Sequence, residues 1–210
     1  MPVVKVCGIT EKDDAVSIAR LGVWALGFVF VPESPRYVNP ERVREIVASL
    51  GGRVLTVGVF QNTPLGEIQR IRSFCKLDLV QLHGEEDPSF CERLGGGVIK
   101  AFGVGEGALP EGVEEYIPWV SYVLFDTAYR GKKGGTGVPF PWQLVAPFVT
   151  RLPRPVIISG GLTVENVPRL LQVMRPFALD VNSGVEKAPG KKDVERVREL
   201  LAIVQRKVIP

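Results

Sequence analysis

The sequence predicts an α/β fold in which eight strands alternate with helices and close into a (β/α)8 TIM barrel. Short β-rich segments recur along the whole chain, and each is followed by a segment with helical periodicity. The segments start about 20–35 residues apart, which leaves room for one helix between neighbours. Such alternation is typical of parallel sheets. Eight units favour a closed barrel, because doubly wound open sheets usually carry fewer strands.

Each predicted strand is a short apolar segment rich in β-branched or aromatic residues. The first is notable for its end, where the apolar run stops at a thiol, Cys7, that is followed by glycine. In chain order the predicted strands are Val3–Cys7, Ala25–Phe30, Val54–Phe60, Leu77–His83, Val98–Phe102, Tyr122–Asp126, Pro155–Ser159 and Phe177–Asn182.

The predicted helices are recognised by polar capping residues at their starts and by apolar stripes along their length. Proline directly after a capping residue strengthens such a start, because proline is favoured at the first helical position. The predicted starts and helices are Thr10 ahead of Ala15–Leu21, Asn39 followed by Pro40, Thr163 ahead of Val164–Met174, and the last helix Asp193–Lys207.

Length and composition predict one domain, residues 1–210, located in the cytoplasm. The chain has 210 residues, 45% of them hydrophobic, and a net charge of +3. Acidic and basic residues are interleaved, as in Lys191-Lys192-Asp193-Val194-Glu195-Arg196, which is typical of a solvated helix face and not of a nucleic-acid patch. Three cysteines without a pairing pattern indicate a reducing compartment. The sequence shows no leader and no membrane-spanning run, so neither nucleic acid nor a membrane is an expected partner.

Polar residues end several of the predicted strands, and active sites of this fold lie at those ends. Because side chains alternate along a strand, Cys7, His83, Asp126 and Asn182 are all expected to face the mouth of the barrel. Cys7 is either a base or nucleophile, once deprotonated, or a small buried hydrophobic residue. The convergence of four polar residues on one mouth favours chemistry over packing.

Two glycine turns and one loop arginine predict an anionic ligand. Ser159-Gly160-Gly161-Leu162 follows the seventh strand, and Asn182-Ser183-Gly184-Val185 follows the eighth. Backbone N–H groups in such turns hold phosphate, and these are the positions at which this fold commonly binds one. Arg36, in the segment Ser34-Pro35-Arg36-Tyr37, is either an exposed loop residue or a fork for a carboxylate.

Other polar residues are less informative. Loop 130–137 lacks the Gly-Lys-Ser/Thr order of a nucleotide-binding loop and is interpreted as a flexible lid. His83, the only histidine, has no second His or Cys at ligand spacing, so no metal site is predicted. Cys75 and Cys91 fall in helical segments and are expected only to pack. Lys5 either hydrogen-bonds inside the barrel or helps to lower the pKa of Cys7.

A series of motifs covers almost the whole chain: Val6-Cys7-Gly8-Ile9-Thr10, Leu26-Gly27-Phe28-Val29-Phe30, Ser34-Pro35-Arg36-Tyr37-Val38, Val57-Gly58-Val59-Phe60, Val80-Gln81-Leu82-His83-Gly84-Glu85, Gly134-Gly135-Thr136-Gly137 and Asp180-Val181-Asn182-Ser183-Gly184-Val185-Glu186. In this order they resemble the phosphoribosylanthranilate isomerase family of tryptophan biosynthesis. Together they are highly specific, although no single one is. The chain departs from the family pattern at Phe140-Pro141-Trp142, where an acid often precedes the Trp, and at Asn182, where serine is usual.

The resemblance implies an Amadori rearrangement of phosphoribosylanthranilate, an aminoaldose phosphate, without a cofactor or a metal. It implies that Asp126 is the general acid that opens the ribose ring and that Cys7 is the base that takes the C2' proton. It also implies that Arg36 binds the anthranilate carboxylate. The further substrate-binding residues on this interpretation are Gln81, His83, Asp180, Gly160, Gly161, Asn182, Ser183 and Gly184.

Some alternatives stay open at this point. A related aminoaldose isomerase of histidine biosynthesis resembles this fold and reaction, but typically carries aspartate at the position of Cys7. A phospholigand-binding barrel without catalysis is the alternative outside the enzymes. A free thiol has a pKa of about 8.5, so Cys7 is expected to need a cationic or dipolar neighbour to ionise near neutral pH. Family members occur as monomers and as dimers, which leaves a homodimer open.

Overall fold

The computed structural model describes residues 1–105, 110–129, 132–133 and 141–205. Within these residues eight parallel strands form a closed ring, in which each strand pairs with the next along the chain and the last pairs with the first. The predicted (β/α)8 barrel is confirmed. The strands are β1 (Val3–Val6), β2 (Ala25–Val29), β3 (Leu55–Phe60), β4 (Leu79–Leu82), β5 (Val98–Val104), β6 (Tyr122–Tyr129), β7 (Val156–Ile158) and β8 (Ala178–Val181).

A helix follows each strand in the described ranges, and the helices pack around the outside of the ring. None of the helices in these ranges is both long and apolar enough to cross a membrane. The helices are α1 (Lys12–Arg20), α2 (Pro40–Leu50), α3 (Leu65–Cys75), α4 (Pro88–Leu94), α5 (Val113–Tyr116), α6 (Ala146–Arg151), α7 (Val167–Val173) and α8 (Val194–Gln205).

The core has two layers, one inside the barrel and one between the strands and the helices. Small and medium apolar side chains fill the interior, among them Ala25, Val57 and Ile157. Larger ones, such as Phe28 and Phe60, point outward and pack in the same cluster as the apolar faces of the helices. Alternation along each strand supplies both layers, because successive side chains point to opposite faces. The C-terminal end of the interior is the part left for polar residues.

The cap predicted for α2 is confirmed, whereas the cap predicted for α1 is wrong, although that helix itself is present. Asn39 caps α2, because its side chain accepts a hydrogen bond from the backbone N–H of Arg42 at 2.8 Å, and Pro40 is the first helical residue. Thr10 does not cap α1, which begins at Lys12 instead. The Thr10 hydroxyl donates to the carbonyl of Gly190 at 2.6 Å, so it ties the loop after β1 to the segment after β8.

The helix α7 is shorter than predicted, whereas the predicted end of α8 lies outside the described residues. The helix α7 begins only at Val167, because the segment between Thr163 and Asn166 forms a turn in which the Asn166 side chain accepts from the Thr163 N–H at 2.9 Å. The same side chain donates to the carbonyl of Gly161 at 2.7 Å, which fixes the glycine turn after β7. The helix α8 is described as far as Gln205, and residues 206–210 lie outside the described residues.

Glycine at position 27 leaves space for two polar side chains inside the barrel. A Cβ added to Gly27 on β2 would lie 2.8 Å from the Cys7 sulfur and 3.2 Å from the Lys5 Nζ. Neither contact is acceptable without a shift, and both neighbours are buried. The residue on β2 therefore decides whether a lysine and a thiol fit side by side on β1.

Replacement of Gly27 by alanine tests this packing. We expect Gly27→Ala to lower the free energy of unfolding by about 1–3 kcal/mol, as overpacking does elsewhere. Urea denaturation measures the change. Gly66→Ala in α3 is the matched control, since a Cβ there meets nothing within 4 Å; it is expected to raise the free energy of unfolding by about 0.5–1 kcal/mol. Equal effects at the two positions would contradict the packing argument.

Candidate active site

A cavity of about 640 Å³ opens at the C-terminal ends of the strands. A cavity of this size suits a small molecule, and this end of the barrel is where the sequence predicts the site. All of the predicted site residues except Gly184 line it. They are Cys7, Arg36, Gln81, His83, Asp126, Gly160, Gly161, Asp180, Asn182 and Ser183.

A buried ion pair lies beneath Cys7. Lys5, on the same inward face of β1, donates to Oδ2 of Asp180 on β8 at 2.8 Å. The two residues are direct partners in the register of these strands. Burial lowers the pKa of Lys5, but the facing Asp180 carboxylate and Cys7 together outweigh burial and hold that pKa above its usual 10.5. The interior hydrogen bond of Lys5, one of the two roles predicted for it, is confirmed.

The Cys7 thiol is 6% exposed. Burial raises its pKa above the usual 9.0, Lys5 and Lys192 lower it, and Asp180 adds to the rise. The cationic neighbours expected from the sequence are therefore present and act in the expected direction, but burial has the larger effect. In the substrate-free protein the neutral thiol is the favoured form near neutral pH.

Asp126 is held by two neighbours at the rim of the barrel, one of which is itself held by a third residue. Its Oδ1 accepts the backbone N–H of Thr127 at 2.7 Å, and its Oδ2 lies 3.3 Å from Nε2 of His83. Nδ1 of His83 is 3.1 Å from the side-chain Nε2 of Gln81. Since the Gln81 amide nitrogen can only donate, a neutral His83 carries its proton on Nε2, which faces Asp126. Gln81 and His83 thus orient the carboxyl group.

Two buried acceptors at the cavity lack partners. Oε1 of Gln81 and Oδ1 of Asp180 have no hydrogen-bond partner among the described residues, although both side chains line the cavity. A buried polar atom without a partner costs free energy, so such atoms are suited to a ligand that supplies donors. Hydroxyl groups of a sugar are donors of this kind.

The two glycine turns are in contact with each other. Gly160 and Gly161 have φ values of +89° and +62°, in the region that glycine adopts without strain. Gly184 lies against the backbone carbonyl of Leu162, and no side chain would fit between them. Gly184 therefore joins the turn after β8 to the turn after β7, and Ser183 beside it lines the cavity. The paired turns therefore lie together at the cavity, in the position predicted for phosphate.

Arg36 is at the cavity but is not a free loop residue. Its Nε and Nη2 donate to the carboxylate of Glu186, with the shortest contact at 2.7 Å. Glu186 also accepts from the Nζ of Lys192 at 2.7 Å. The side chain of Asn182 accepts from the same Lys192 at 2.9 Å, so its oxygen is already engaged.

Sequence analysis did not identify Glu186 or Lys192 as part of the site, and its interpretation of Lys192 as part of a solvated helix face is wrong. Glu186 and Lys192 face each other in a short antiparallel hairpin, Glu186–Ala188 with Lys191–Lys192, and the Lys192 side chain is buried. Charge pattern alone could not show this, because Lys191 and Asp193 beside it are not buried. The sequence feature that could have pointed to this pair is Glu186, which is the last residue of the motif that begins at Asp180.

The other predicted features fall in three groups. Cys75 and Cys91 are buried in α3 and α4, where burial raises the pKa of each to about 11. The predicted lid, loop 130–137, lies outside the described residues apart from 132–133, which pair with the end of β6. Among the described residues, no group of three or more His, Cys, Asp and Glu side chains could hold a metal ion.

The architecture indicates the class of protein first, namely a barrel enzyme. Enzymes with this fold have their active sites at the C-terminal ends of the strands, where the cavity of this protein lies, and the polar groups around the cavity suit a small anionic molecule. The family follows from comparison. The model of the N-(5'-phosphoribosyl)anthranilate (PRA) isomerase family matches residues 4–203, and the chain belongs to that family.

Individual proteins agree with this placement. The chain is 43% identical over 198 residues to N-(5'-phosphoribosyl)anthranilate isomerase of Geobacter sulfurreducens, with 94% of this chain and 96% of that protein covered. The crystal structure of the isomerase from Thermotoga maritima is similar with a TM-score of 0.86, at 39% identity and with 98% and 99% of the two chains covered. A PRA isomerase in complex with reduced 1-(o-carboxyphenylamino)-1-deoxyribulose 5-phosphate gives a TM-score of 0.82, at 39% identity and with the same coverage.

The pKa of Cys7 can be measured by alkylation, because only the thiolate reacts. We expect the rate of Cys7 modification by iodoacetamide to keep rising beyond pH 9, since burial raises the pKa above 9.0. Lys5→Met should move the curve to still higher pH, because Lys5 lowers that pKa. Peptide mass spectrometry follows Cys7 separately from Cys75 and Cys91.

Lys191→Met, which removes an exposed lysine, is the control for this experiment and should leave the curve in place. A rate that levels off below pH 8 in the unchanged protein would contradict the pKa direction. A curve that Lys5→Met leaves unmoved would contradict the role of Lys5.

Proposed function

We propose that this chain isomerises N-(5'-phosphoribosyl)anthranilate to 1-(2-carboxyphenylamino)-1-deoxyribulose 5-phosphate, with Asp126 as the general acid and Cys7 as the general base. The observation that carries the proposal is that both groups line one cavity at the C-terminal mouth of the barrel. Family membership supports the substrate, and a similar protein binds a reduced form of this product.

Ring opening is the step assigned to Asp126. Its protonated carboxyl group donates to the ribose ring oxygen, the bond from that oxygen to C1' breaks, and the nitrogen lone pair forms a C1'–N double bond. The product of the step is a protonated Schiff base and an Asp126 carboxylate. The contacts with Thr127 and His83 support this role, because they fix the carboxyl group at the rim.

Proton abstraction is the step assigned to Cys7. The thiolate, which is the minor form in the substrate-free protein, takes the proton from C2', the C–H electrons form a C1'–C2' double bond, and the C1'–N π electrons return to nitrogen. The resulting enolamine becomes the ketone when the C2' hydroxyl loses a proton and C1' gains one. Transfer of one proton from the thiol to the Asp126 carboxylate, directly or through solvent, resets the enzyme. The raised pKa of the thiol supports a base strong enough for a carbon acid.

Binding groups at opposite ends of the substrate hold the ribose between the two catalytic residues. We assign the phosphate to the turns at Gly160-Gly161 and Ser183-Gly184, and the anthranilate carboxylate to Arg36. The unpartnered oxygens of Gln81 and Asp180 are suited to accept ribose hydroxyl groups. Orientation between two fixed ends contributes to the rate, because the reacting atoms need no further search.

The alternatives from the sequence are less well supported. The histidine-pathway isomerase typically has aspartate at position 7, whereas this chain has cysteine. A barrel that only binds a phospholigand would need neither the oriented carboxyl group nor the thiol beside a buried cation. The homodimer, the cytoplasmic location and the lack of a nucleic-acid or membrane partner stay predictions.

Activity of the purified protein tests the proposal directly. We expect the fluorescence of phosphoribosylanthranilate to disappear at a rate proportional to the amount of protein. Cys7→Ala and Asp126→Asn should each lower kcat by about 10²–10⁴-fold, because each removes one positioned acid or base. Binding of the reduced product analogue should change much less, since neither residue is assigned to its charged ends.

Cys91→Ala is the matched control, because it removes a buried thiol that does not line the cavity. It should keep the full kcat. Near-normal kcat in Cys7→Ala or in Asp126→Asn would contradict the assigned roles, and no turnover by the unchanged protein would contradict the function itself.

A further inference from the structure

Three charged side chains form a row behind the mouth of the barrel. Arg36 contacts Glu186 through Nε and Nη2 at 2.7–3.2 Å, and Glu186 contacts Lys192 at 2.7 Å. Arg36 lines the cavity, whereas Glu186 and Lys192 do not. The row therefore runs from the cavity wall, at the guanidinium, into the protein.

Glu186 is fixed more firmly than a surface partner of an arginine would be. Its side chain is 4% exposed, and that of Lys192 is 0% exposed. Besides the contacts with Arg36 and Lys192, Oε1 accepts the backbone N–H of Gly190 at 3.1 Å. Arg36 and Lys192 hold the pKa of Glu186 below its usual value despite burial, which raises it. Glu186 is thus a buried carboxylate held by two cationic side chains and by one backbone N–H of its own hairpin.

The contacts divide the guanidinium into two edges. Nε and Nη2 of Arg36 donate to Glu186, and within the described part of the chain no hydrogen bond of Arg36 uses Nη1. A guanidinium has five N–H donors in a plane, so the edge that carries Nη1 can still bind a second carboxylate in a bidentate way. Because Glu186 holds the Nε–Nη2 edge, it also determines the direction in which the Nη1 edge points.

We propose that Glu186 is a positioning residue that aims Arg36 at the substrate carboxylate, and that Lys192 is the counter-ion that lets it do so. This inference rests on the proposed function, in which Arg36 binds the anthranilate carboxylate. An Arg36–Glu186 pair alone has no net charge and would attract an anion weakly. With Lys192 the three groups carry one net positive charge, close to the place where the carboxylate binds.

The opposite role for Glu186 predicts an opposite result. If Glu186 competes with the substrate for Arg36, its neutralisation should tighten the binding of a carboxylate. If Glu186 positions Arg36, its neutralisation should weaken that binding even though the local charge becomes more positive. The direction of the change therefore separates positioning from competition.

The test measures dissociation constants by calorimetry for two probes. One is reduced 1-(o-carboxyphenylamino)-1-deoxyribulose 5-phosphate, and the other is the same compound without the carboxyl group. We expect Glu186→Gln to weaken the first at least about tenfold, the size of one charge-assisted hydrogen bond, and to leave the second within about twofold. Glu33→Gln is the control, since Glu33 is an exposed acid that also lines the cavity; it should change neither constant by more than about twofold.

Loss of Glu186 leaves Lys192 buried without its carboxylate, so Glu186→Gln could fail to fold. The double variant Glu186→Gln/Lys192→Met removes that charge and should show the same selective loss for the carboxyl-bearing probe. Tighter or unchanged binding of that probe by the folded variant would overturn the inference.

Arg36→Ala separates this inference from the proposed function. If Arg36→Ala discriminates against the carboxyl-bearing probe and the Glu186 variants do not, the positioning role is wrong and the function stands. If Arg36→Ala binds both probes as the unchanged protein does, the assignment of the carboxylate to Arg36 is itself wrong.

Discussion

The closure of eight parallel strands into one ring is the constraint on which the site depends. Closure sends every second side chain of each strand into a common interior, and the strand ends then meet around one mouth. Cys7, directly after β1, and Asp126, on β6, line one cavity because the ring brings β6 round to the same mouth as β1. Neither residue would have a partner for chemistry on an open sheet of the same strands.

Two buried ion pairs are the second feature on which the site depends. The Lys5–Asp180 pair lies inside the barrel and the Glu186–Lys192 pair lies behind Arg36, and both act on groups that line the cavity. A buried ion pair contributes little net stability, because the loss of hydration offsets the attraction. Its value here is in the site, where a fixed cation lowers the pKa of Cys7 and a fixed anion orients a guanidinium.

The sequence predicted the barrel, its eight strands and ten of the residues that line the cavity, because side chains alternate along a strand whether or not the sheet closes. Features that depend on distant segments were not predictable in the same way. Thr10 looks like a helix cap, but its hydroxyl finds the Gly190 carbonyl from the far end of the chain. Lys192 looks like a solvated lysine, but a hairpin turns it inward toward Glu186. The Thr10 contact joins the first and last loops, whereas Lys192 is turned inward by pairing within the segment after β8.

The central claim is that Asp126 opens the ring and Cys7 then removes the C2' proton. The most direct test is the kinetic isotope effect in single turnover, with substrate that carries deuterium at C2'. In Cys7→Ser the proton transfer is the slow step, so the account predicts a full primary isotope effect. In Asp126→Asn the ring opening is slow, so the account predicts an isotope effect near one. Equal isotope effects in the two variants, or the larger one in Asp126→Asn, would contradict it.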